Sequence, residues 1–121
     1  MSKTQNTGQY DLEERTFLFA RKVRAFAKTL PRTLANIEDG RQLIRASGSV
    51  GANYIEANES LSKKDFVMRI KICRKEAKES RYWLKLVHTA AESSVEKERL
   101  SLIQESTELM KIFGAILQKS E

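Results

Sequence analysis

Basic side chains are concentrated in one segment of this 121-residue sequence, at a spacing that suits the binding of phosphate groups. Between Lys63 and Lys85 lie nine Lys or Arg and three Asp or Glu, a difference equal to the net charge of +6 of the whole chain. On a helical wheel at about 100° per residue, eight of the nine share about one third of the circumference. These eight residues, called the basic stripe below, are Lys63, Lys64, Lys71, Arg74, Lys75, Lys78, Arg81 and Lys85.

A row of like charges on one face costs a helix about 0.2–0.5 kcal/mol per neighbouring pair. A polyanion removes this cost, because its phosphates neutralise the cations and its own counterions are released. The basic stripe therefore predicts a non-enzymatic protein that binds the backbone of RNA or DNA, with no base-reading motif to give a sequence preference. The alternative is a protein-interaction scaffold whose lysines only solvate an exposed helix. A membrane surface is disfavoured, since the apolar residues of this helix are needed for the core.

A second set of apolar residues lies away from the predicted core face of the same helix. Ile72, Trp83 and Leu86 project at about 140° to 200° on the wheel, with Tyr82 beside them. Two apolar faces on one helix predict burial on two sides, so we expect this set to form the interface of a homo-oligomer. The alternative is a wide core stripe, or a rotated helix, that takes up Trp83.

His88 is the only histidine, and no GxSxG, GxGxxG, phosphate-loop or paired Glu-x-x-His motif accompanies it. Arg81 and His88 would lie within about 20° of each other on a continuous helix, which resembles the Arg-x(4–6)-His pair of HEPN ribonucleases. Tyr82 departs from the small polar residue usual after that arginine. Cys73 is predicted to be a small core residue, because it falls on the apolar core stripe of the third helix. The predicted stripe consists of Phe66, Ile70, Cys73, Ala77, Leu84 and Val87. The sequence therefore predicts no catalytic residue, no metal ligand and no cofactor, with a HEPN-like ribonuclease as the less favoured alternative.

Four segments carry apolar residues at three- and four-residue steps, which predicts four amphipathic helices. The first runs from about residue 11 and is ended by Pro31, and the second runs from about Thr33 to Asn58. Residues 46–52 of the second helix, AlaSerGlySerValGlyAla, are small and have low helix propensity. They indicate either another helix crossing closely or a break.

We expect the third helix to begin after Ser60 or Ser62 and to continue to about Thr89, and Ser93 or Ser94 to cap the fourth. Long helices joined by short loops pack antiparallel. The predicted fold class is therefore all-α, an up-down-up-down antiparallel four-helix bundle. It would occupy residues 10–119 as a single domain after a disordered N-terminal tail, residues 1–9.

Composition agrees with this architecture. A single Pro and five Gly disfavour an all-β fold, which needs frequent turns. One cysteine cannot form an intramolecular disulfide, which suits a reducing compartment. No stretch approaches the length of a membrane span, and the first ten residues lack the apolar core of a signal peptide. We therefore expect a soluble, cytoplasmic protein.

Residues 42–57, together with 62–72 and 75–86, resemble the bacterial four-helix-bundle family encoded in 23S rRNA intervening sequences. The likeness extends from about Leu12 to Phe113. The most specific part is the pattern Gln-Leu-x-Arg-Ala-x-x-Ser-(Val/Ile)-x-x-Asn-(Ile/Tyr)-x-Glu. It is matched by Gln42, Leu43, Arg45, Ala46, Ser49, Val50, Asn53, Tyr54 and Glu56.

This resemblance implies an up-down bundle that assembles as a homopentamer. A similar protein, the accessory variability determinant of diversity-generating retroelements, is a basic pentameric barrel that binds nucleic acid and the reverse transcriptase, so by analogy these are the implied partners. Ala57 stands where the family often has Gly after the pattern, which affects how the second helix ends. Asn53 and Glu56 lie one turn apart, and we expect structural hydrogen bonds from them rather than catalysis.

Overall fold

Four α-helices joined by short loops make up the computed structural model, which describes residues 11–120. They are α1 (Leu12–Lys28), α2 (Leu34–Asn58), α3 (Lys63–Leu86) and α4 (Ser93–Lys119). The described residues contain no β-strand, so the all-α prediction is confirmed. The predicted disordered tail, residues 1–9, lies outside the described residues.

Helices adjacent in sequence pack side by side, which gives the predicted up-down-up-down bundle. α3 packs along both α2 and α4, α1 packs along α2, and the contact between α1 and α4 is slight. One bidentate ion pair bridges that last seam: Arg15 donates from Nε to Glu105 Oε2 at 2.7 Å and from Nη2 to Oε1 at 3.0 Å. The bundle is therefore held mainly by neighbouring helices, and α1 is attached chiefly through α2.

Apolar side chains from all four helices form one core. Phe19, Leu43, Ile70 and Phe113 are almost completely buried, one from each helix. The predicted core stripe of α3 is confirmed, although Phe66 is only half-buried against the core. The buried members of the stripe are Ile70, Cys73, Ala77, Leu84 and Val87.

Helix N-termini are capped by local side chains, and the prediction of a serine cap for α3 is confirmed by Ser62. Thr33 Oγ1 accepts from the Asn36 N–H at 3.1 Å, and Ser62 Oγ accepts from the Asp65 N–H at 3.1 Å. The prediction of a serine cap for α4 is wrong by one residue, because Glu92 caps this helix. Its carboxylate accepts from the Val95 N–H at 3.0 Å, and an acidic group at this position also suits the helix dipole.

The small-residue segment of α2 is helical throughout, which excludes a break at residues 46–52. A Cβ added to Gly51 would lie 2.9 Å from Oγ1 of Thr16 on α1, closer than real Cβ atoms come. The interpretation that another helix crosses closely here is therefore confirmed, and the crossing helix is α1.

α3 ends earlier than predicted, at Leu86 rather than near Thr89. Val87 is extended, and the main chain of His88 bonds to the side chain of Asn36, so tertiary hydrogen bonds replace the next helical turn. The following loop contains two non-glycine residues with positive φ, Ala90 at 59° and Ala91 at 58°.

Candidate nucleic-acid interface

The basic stripe lies on the outward side of α3. Seven of its eight side chains are exposed, and the eighth, Arg81, is half-buried. The guanidinium of Arg81 donates from Nη1 to Thr107 Oγ1 of α4 at 3.2 Å. The stripe therefore borders α4 and extends from there around the solvent side of the helix.

Two acidic residues of α3, Glu76 and Glu79, lie on the opposite side, toward α2. Arg45 of α2 lies 3.1 Å from a carboxylate oxygen of Glu79 and 3.5 Å from one of Glu76, and Glu76 is buried. Arg69, the ninth basic residue, also turns toward α2 and donates to Asn53 Oδ1 at 2.9 Å. Glu76 and Glu79 are thus neutralised from α2 and lie away from the stripe, whereas Asp65, the third acid of the segment, is exposed at the start of α3 near Lys63 and Lys64.

Cations of the stripe have no counterion among residues 11–120, where none of the eight lies within 4.0 Å of a carboxylate. Most other Lys and Arg of these residues are also unpaired, so the stripe is distinguished by the grouping of its cations on one face. Placing like charges together without partners is unfavourable for the isolated chain. The arrangement leaves the whole stripe available to an external anion.

A shallow recess lies along the edge of the stripe at α4. It has a volume of about 460 Å³ and is lined by Lys71, Arg74, Lys75, Lys78 and Met110. Gly114, one turn after Met110, lies beside the guanidinium of Arg74, whose Nη1 is 4.0 Å from the position that a Cβ at residue 114 would take. A phosphate in this recess would meet four cations and an uncharged wall.

Members of the predicted oligomer interface fall into two groups. Tyr82 and Leu86 are exposed, at 57% and 50%, whereas Ile72 and Trp83 are half-buried and Trp83 packs against the core. Trp83 is thus partly buried in the core of its own chain, as expected if the core stripe is wide. Glu79 lies on the same face between Ile72 and Trp83, so its ion pair with Arg45 divides the apolar set.

The geometry behind the ribonuclease alternative is wrong. It required α3 to continue through His88, but the helix ends at Leu86 and Val87 is extended. The side chain of Arg81 bonds to Thr107 of α4, and the main chain of His88 bonds to Asn36 of α2. The helical spacing that would align Arg81 with His88 is therefore absent.

Cys73 is fully buried and its Sγ lies 3.4 Å from the carbonyl oxygen of Val50, to which it donates. Burial raises the pKa of this thiol from 9.0 to about 12. The thiol is therefore protonated at neutral pH and packs as a small apolar group, as predicted.

The described part of the chain offers neither a metal-binding cluster nor a membrane-spanning helix. Residues 11–120 hold no group of three or more His, Cys, Asp or Glu side chains that could bind a metal ion. None of the four described helices is long and apolar enough to cross a membrane.

The pattern in α2 that carries the family resemblance makes structural contacts between α2 and α3. Asn53 donates from Nδ2 to the carbonyl and hydroxyl oxygens of Ser49, both at 2.9 Å, while its Oδ1 accepts from Arg69. Arg45 of the same pattern binds Glu79. The side chain of Glu56 is exposed. Two polar residues of the pattern, Arg45 and Asn53, thus bond to α3.

Sequence reasoning missed the α4 wall of the interface, formed by Thr107, Met110 and Gly114. No charge or motif marks these residues. The sequence gives two weak signals: the three residues lie within about 60° of one another on the wheel, and none of them is acidic. Neither signal indicates which helix lies alongside them.

Comparisons with known proteins agree with this architecture. Residues 9–115 match the sequence profile of the family described as 23S rRNA-intervening sequence protein. No curated protein sequence matches the chain significantly. The chain is similar to a crystal structure of a protein of unknown function from the S23 ribosomal protein family of Bacteroides thetaiotaomicron, with a TM-score of 0.76 and 29% identity. That likeness covers 88% of this chain and 97% of the other. On the extent of the profile match, this chain belongs to the 23S rRNA-intervening sequence protein family.

Proposed function

We propose that this protein binds the phosphate backbone of nucleic acid through the basic stripe, without catalysing a reaction. One observation carries the proposal: eight cations share one outward face of α3, and none has a carboxylate within 4.0 Å among residues 11–120. Two of the three acids of the same helix, Glu76 and Glu79, are held on the α2 side by Arg45. Phosphates are the abundant biological anions that match a charged row about 33 Å long.

RNA is the first ligand to test, because the family description refers to 23S rRNA. Contacts to phosphate oxygens position a protein on nucleic acid but carry no sequence information. The interface therefore favours binding that depends on charge and shape, and DNA of the same length and strandedness should bind by the same contacts.

Self-association would strengthen such binding. We propose a homo-oligomer, a pentamer by resemblance to the family, because several copies of the stripe on one assembly convert weak contacts into avidity. Exposed Leu86 beside half-buried Trp83 supports an apolar contact between copies at the C-terminal end of α3. Light scattering on the purified protein should give a mass above the 13.9 kDa of the single chain, and a monomer would contradict this part of the proposal.

A charge-reversal experiment tests the interface. The stripe variant carries Lys71→Glu, Lys75→Glu and Lys78→Glu, and the matched control carries Lys22→Glu, Lys97→Glu and Lys119→Glu, which are also exposed lysines. Both triples change the formal net charge from +6 to 0. Affinity for a labelled 15-nucleotide RNA is measured by fluorescence anisotropy at several salt concentrations.

We expect the stripe variant to lose more than about tenfold in affinity, and the slope of log affinity against log salt to fall by about 2, since each lost phosphate contact removes about 0.7–0.9. The control should retain most of both. Equal losses in the two triples, or a flat salt dependence in the unmodified protein, would contradict the proposal and favour the protein-interaction scaffold. A reverse transcriptase, implied only by analogy, is a partner to test in that case.

Cleavage is tested separately. If the protein were a HEPN-like ribonuclease, His88→Ala would abolish cleavage of the RNA while leaving binding intact. We expect no cleavage by either protein, and RNA products that disappear with His88→Ala would overturn the non-enzymatic proposal.

A further inference from the structure

Tyr82 stands inside the basic stripe. With Lys63 at zero on the wheel, Tyr82 falls at about 100°, between Lys78 at about 60° and Lys75 at about 120°. Lys78 precedes it by one helical turn and Lys85 follows it by one, and both are exposed. Its side chain is 57% exposed, so an aromatic ring lies open among cations.

The ring of Tyr82 is held in place by its neighbour. The rings of Tyr82 and Trp83 have centroids 4.9 Å apart and planes inclined by 77°, an edge-to-face contact. Trp83 packs against the core, so it supports the exposed ring from a fixed position. A ring that is already ordered loses little conformational freedom when a ligand stacks on it.

We propose that Tyr82 is a stacking platform for an unpaired base and that the basic stripe consequently binds single-stranded nucleic acid in preference to duplex. This inference rests on the proposed function. Cations along a helix attract single strands and duplexes alike, because both carry phosphates. An exposed aromatic ring adds affinity only where a base face is free, and every base has such a face, so the gain needs no particular sequence.

A second copy of this chain is a poorer occupant for Tyr82. Any surface that covers the ring also covers Lys78 and Lys85, neither of which has a carboxylate within 4.0 Å among the described residues. Burying unpaired charges is strongly unfavourable unless the partner brings anions. A nucleic acid supplies the base and the phosphates together, whereas Leu86 and Trp83 remain free to contact another copy.

The test compares three probes: a labelled 15-nucleotide oligo(U), the corresponding oligo(dT), and a 15-base-pair RNA duplex. Tyr82→Ala removes the ring and Tyr82→Phe keeps it. Phe17→Ala is the control, because it truncates an aromatic ring of similar exposure, 53%, on α1. Circular dichroism checks that each variant is folded. The only tryptophan of the chain, Trp83, touches the Tyr82 ring, so its fluorescence reports directly on a base that stacks there.

We expect Tyr82→Ala to weaken binding of both single strands by about 5- to 150-fold, with little effect on the duplex and an unchanged salt slope. Tyr82→Phe and Phe17→Ala should bind the single strands like the unmodified protein. Two results would overturn the stacking platform and leave the proposed function standing. In the first, Tyr82→Ala weakens binding of single strands and duplex equally. In the second, Tyr82→Ala changes nothing while the stripe variant fails to bind. If the stripe variant also binds normally, both proposals fail. Dissociation of an oligomer by Tyr82→Ala in light scattering would assign the ring to a subunit interface instead.

Discussion

The side-chain amide of Asn36 binds the main chain of His88 in both directions. Its Nδ2 donates to the His88 carbonyl at 2.8 Å, and its Oδ1 accepts from the His88 N–H at 2.9 Å. The same Nδ2 donates to the carbonyl of Pro31 at 2.9 Å. One buried residue of α2 therefore joins the α1–α2 loop to the α3–α4 loop and ends α3.

Replacing this amide should destabilise the fold strongly. Asn36→Asp keeps the size of the side chain but removes both donors and faces two carbonyl oxygens with a carboxylate, so we expect a loss of about 3 kcal/mol or more in the free energy of unfolding. Urea unfolding followed by circular dichroism measures it. Asn58→Asp is the control, because Asn58 is exposed and makes one bond, to Glu13 at 3.1 Å. Similar losses in the two variants would contradict the role given to Asn36.

Two glycines of α2 should respond to alanine in opposite directions. A Cβ at Gly40 has no atom within 4 Å, so Gly40→Ala should stabilise the protein by about 1 kcal/mol through helix propensity. At Gly51 the new methyl would lie 2.9 Å from Thr16 Oγ1, and the forced separation of α1 from α2 should cost about 1–3 kcal/mol. Thermal unfolding gives both values. Adding Thr16→Ala should recover part of the loss in Gly51→Ala, and no recovery would show that the clash lies elsewhere.

The loop between α3 and α4 offers a stabilising change. Ala90 and Ala91 have φ of 59° and 58°, a conformation that costs a residue with a Cβ about 1–2 kcal/mol. Glycine relieves this strain, although its greater freedom in the unfolded chain offsets about 0.5–1 kcal/mol. We expect Ala91→Gly to raise the free energy of unfolding by about 0.5–1 kcal/mol. Ala115→Gly, in the exposed interior of α4, should lower it by about 1 kcal/mol.

The Cys73 thiol should be unreactive in the folded protein. Because burial raises its pKa to about 12, a disulfide reagent at pH 8 should modify it only after the chain unfolds in urea. The raised pKa also couples folding to pH: the thiol favours the folded state fully below pH 9 and progressively less as the pH rises toward 12. Cys73→Ala should therefore lose stability less steeply than the unmodified protein above pH 9. Rapid labelling of the native thiol would contradict its burial.

Helix positions and faces were predictable because they depend on local pattern. Apolar periodicity placed the α3 core stripe, and the same wheel separated the basic stripe from Glu76 and Glu79 before any contact was known. The start of α3 was predictable because a neighbouring serine, Ser62, caps it. The end of α3 was not, because it depends on Asn36, which lies 52 residues earlier in the chain.

The interface was predictable only on its own helix. Charge patterning identified the stripe, but the wall formed by Met110 and Gly114 depends on how α4 is rotated against α3, which periodicity does not specify. Tyr82 illustrates another limit: its position on the wheel was available from the sequence, but the support it receives from Trp83 depends on how deeply Trp83 enters the core.

The slight contact between α1 and α4 bears on the order in which the bundle assembles. Helices adjacent in sequence meet by closing short loops, whereas Arg15 and Glu105 are 90 residues apart. We expect α2, α3 and α4 to pack first and α1 to dock last, along α2. In the native protein the backbone amides of α1 should then exchange hydrogen fastest among the four helices, since the seam that opens most readily is the one that closes last.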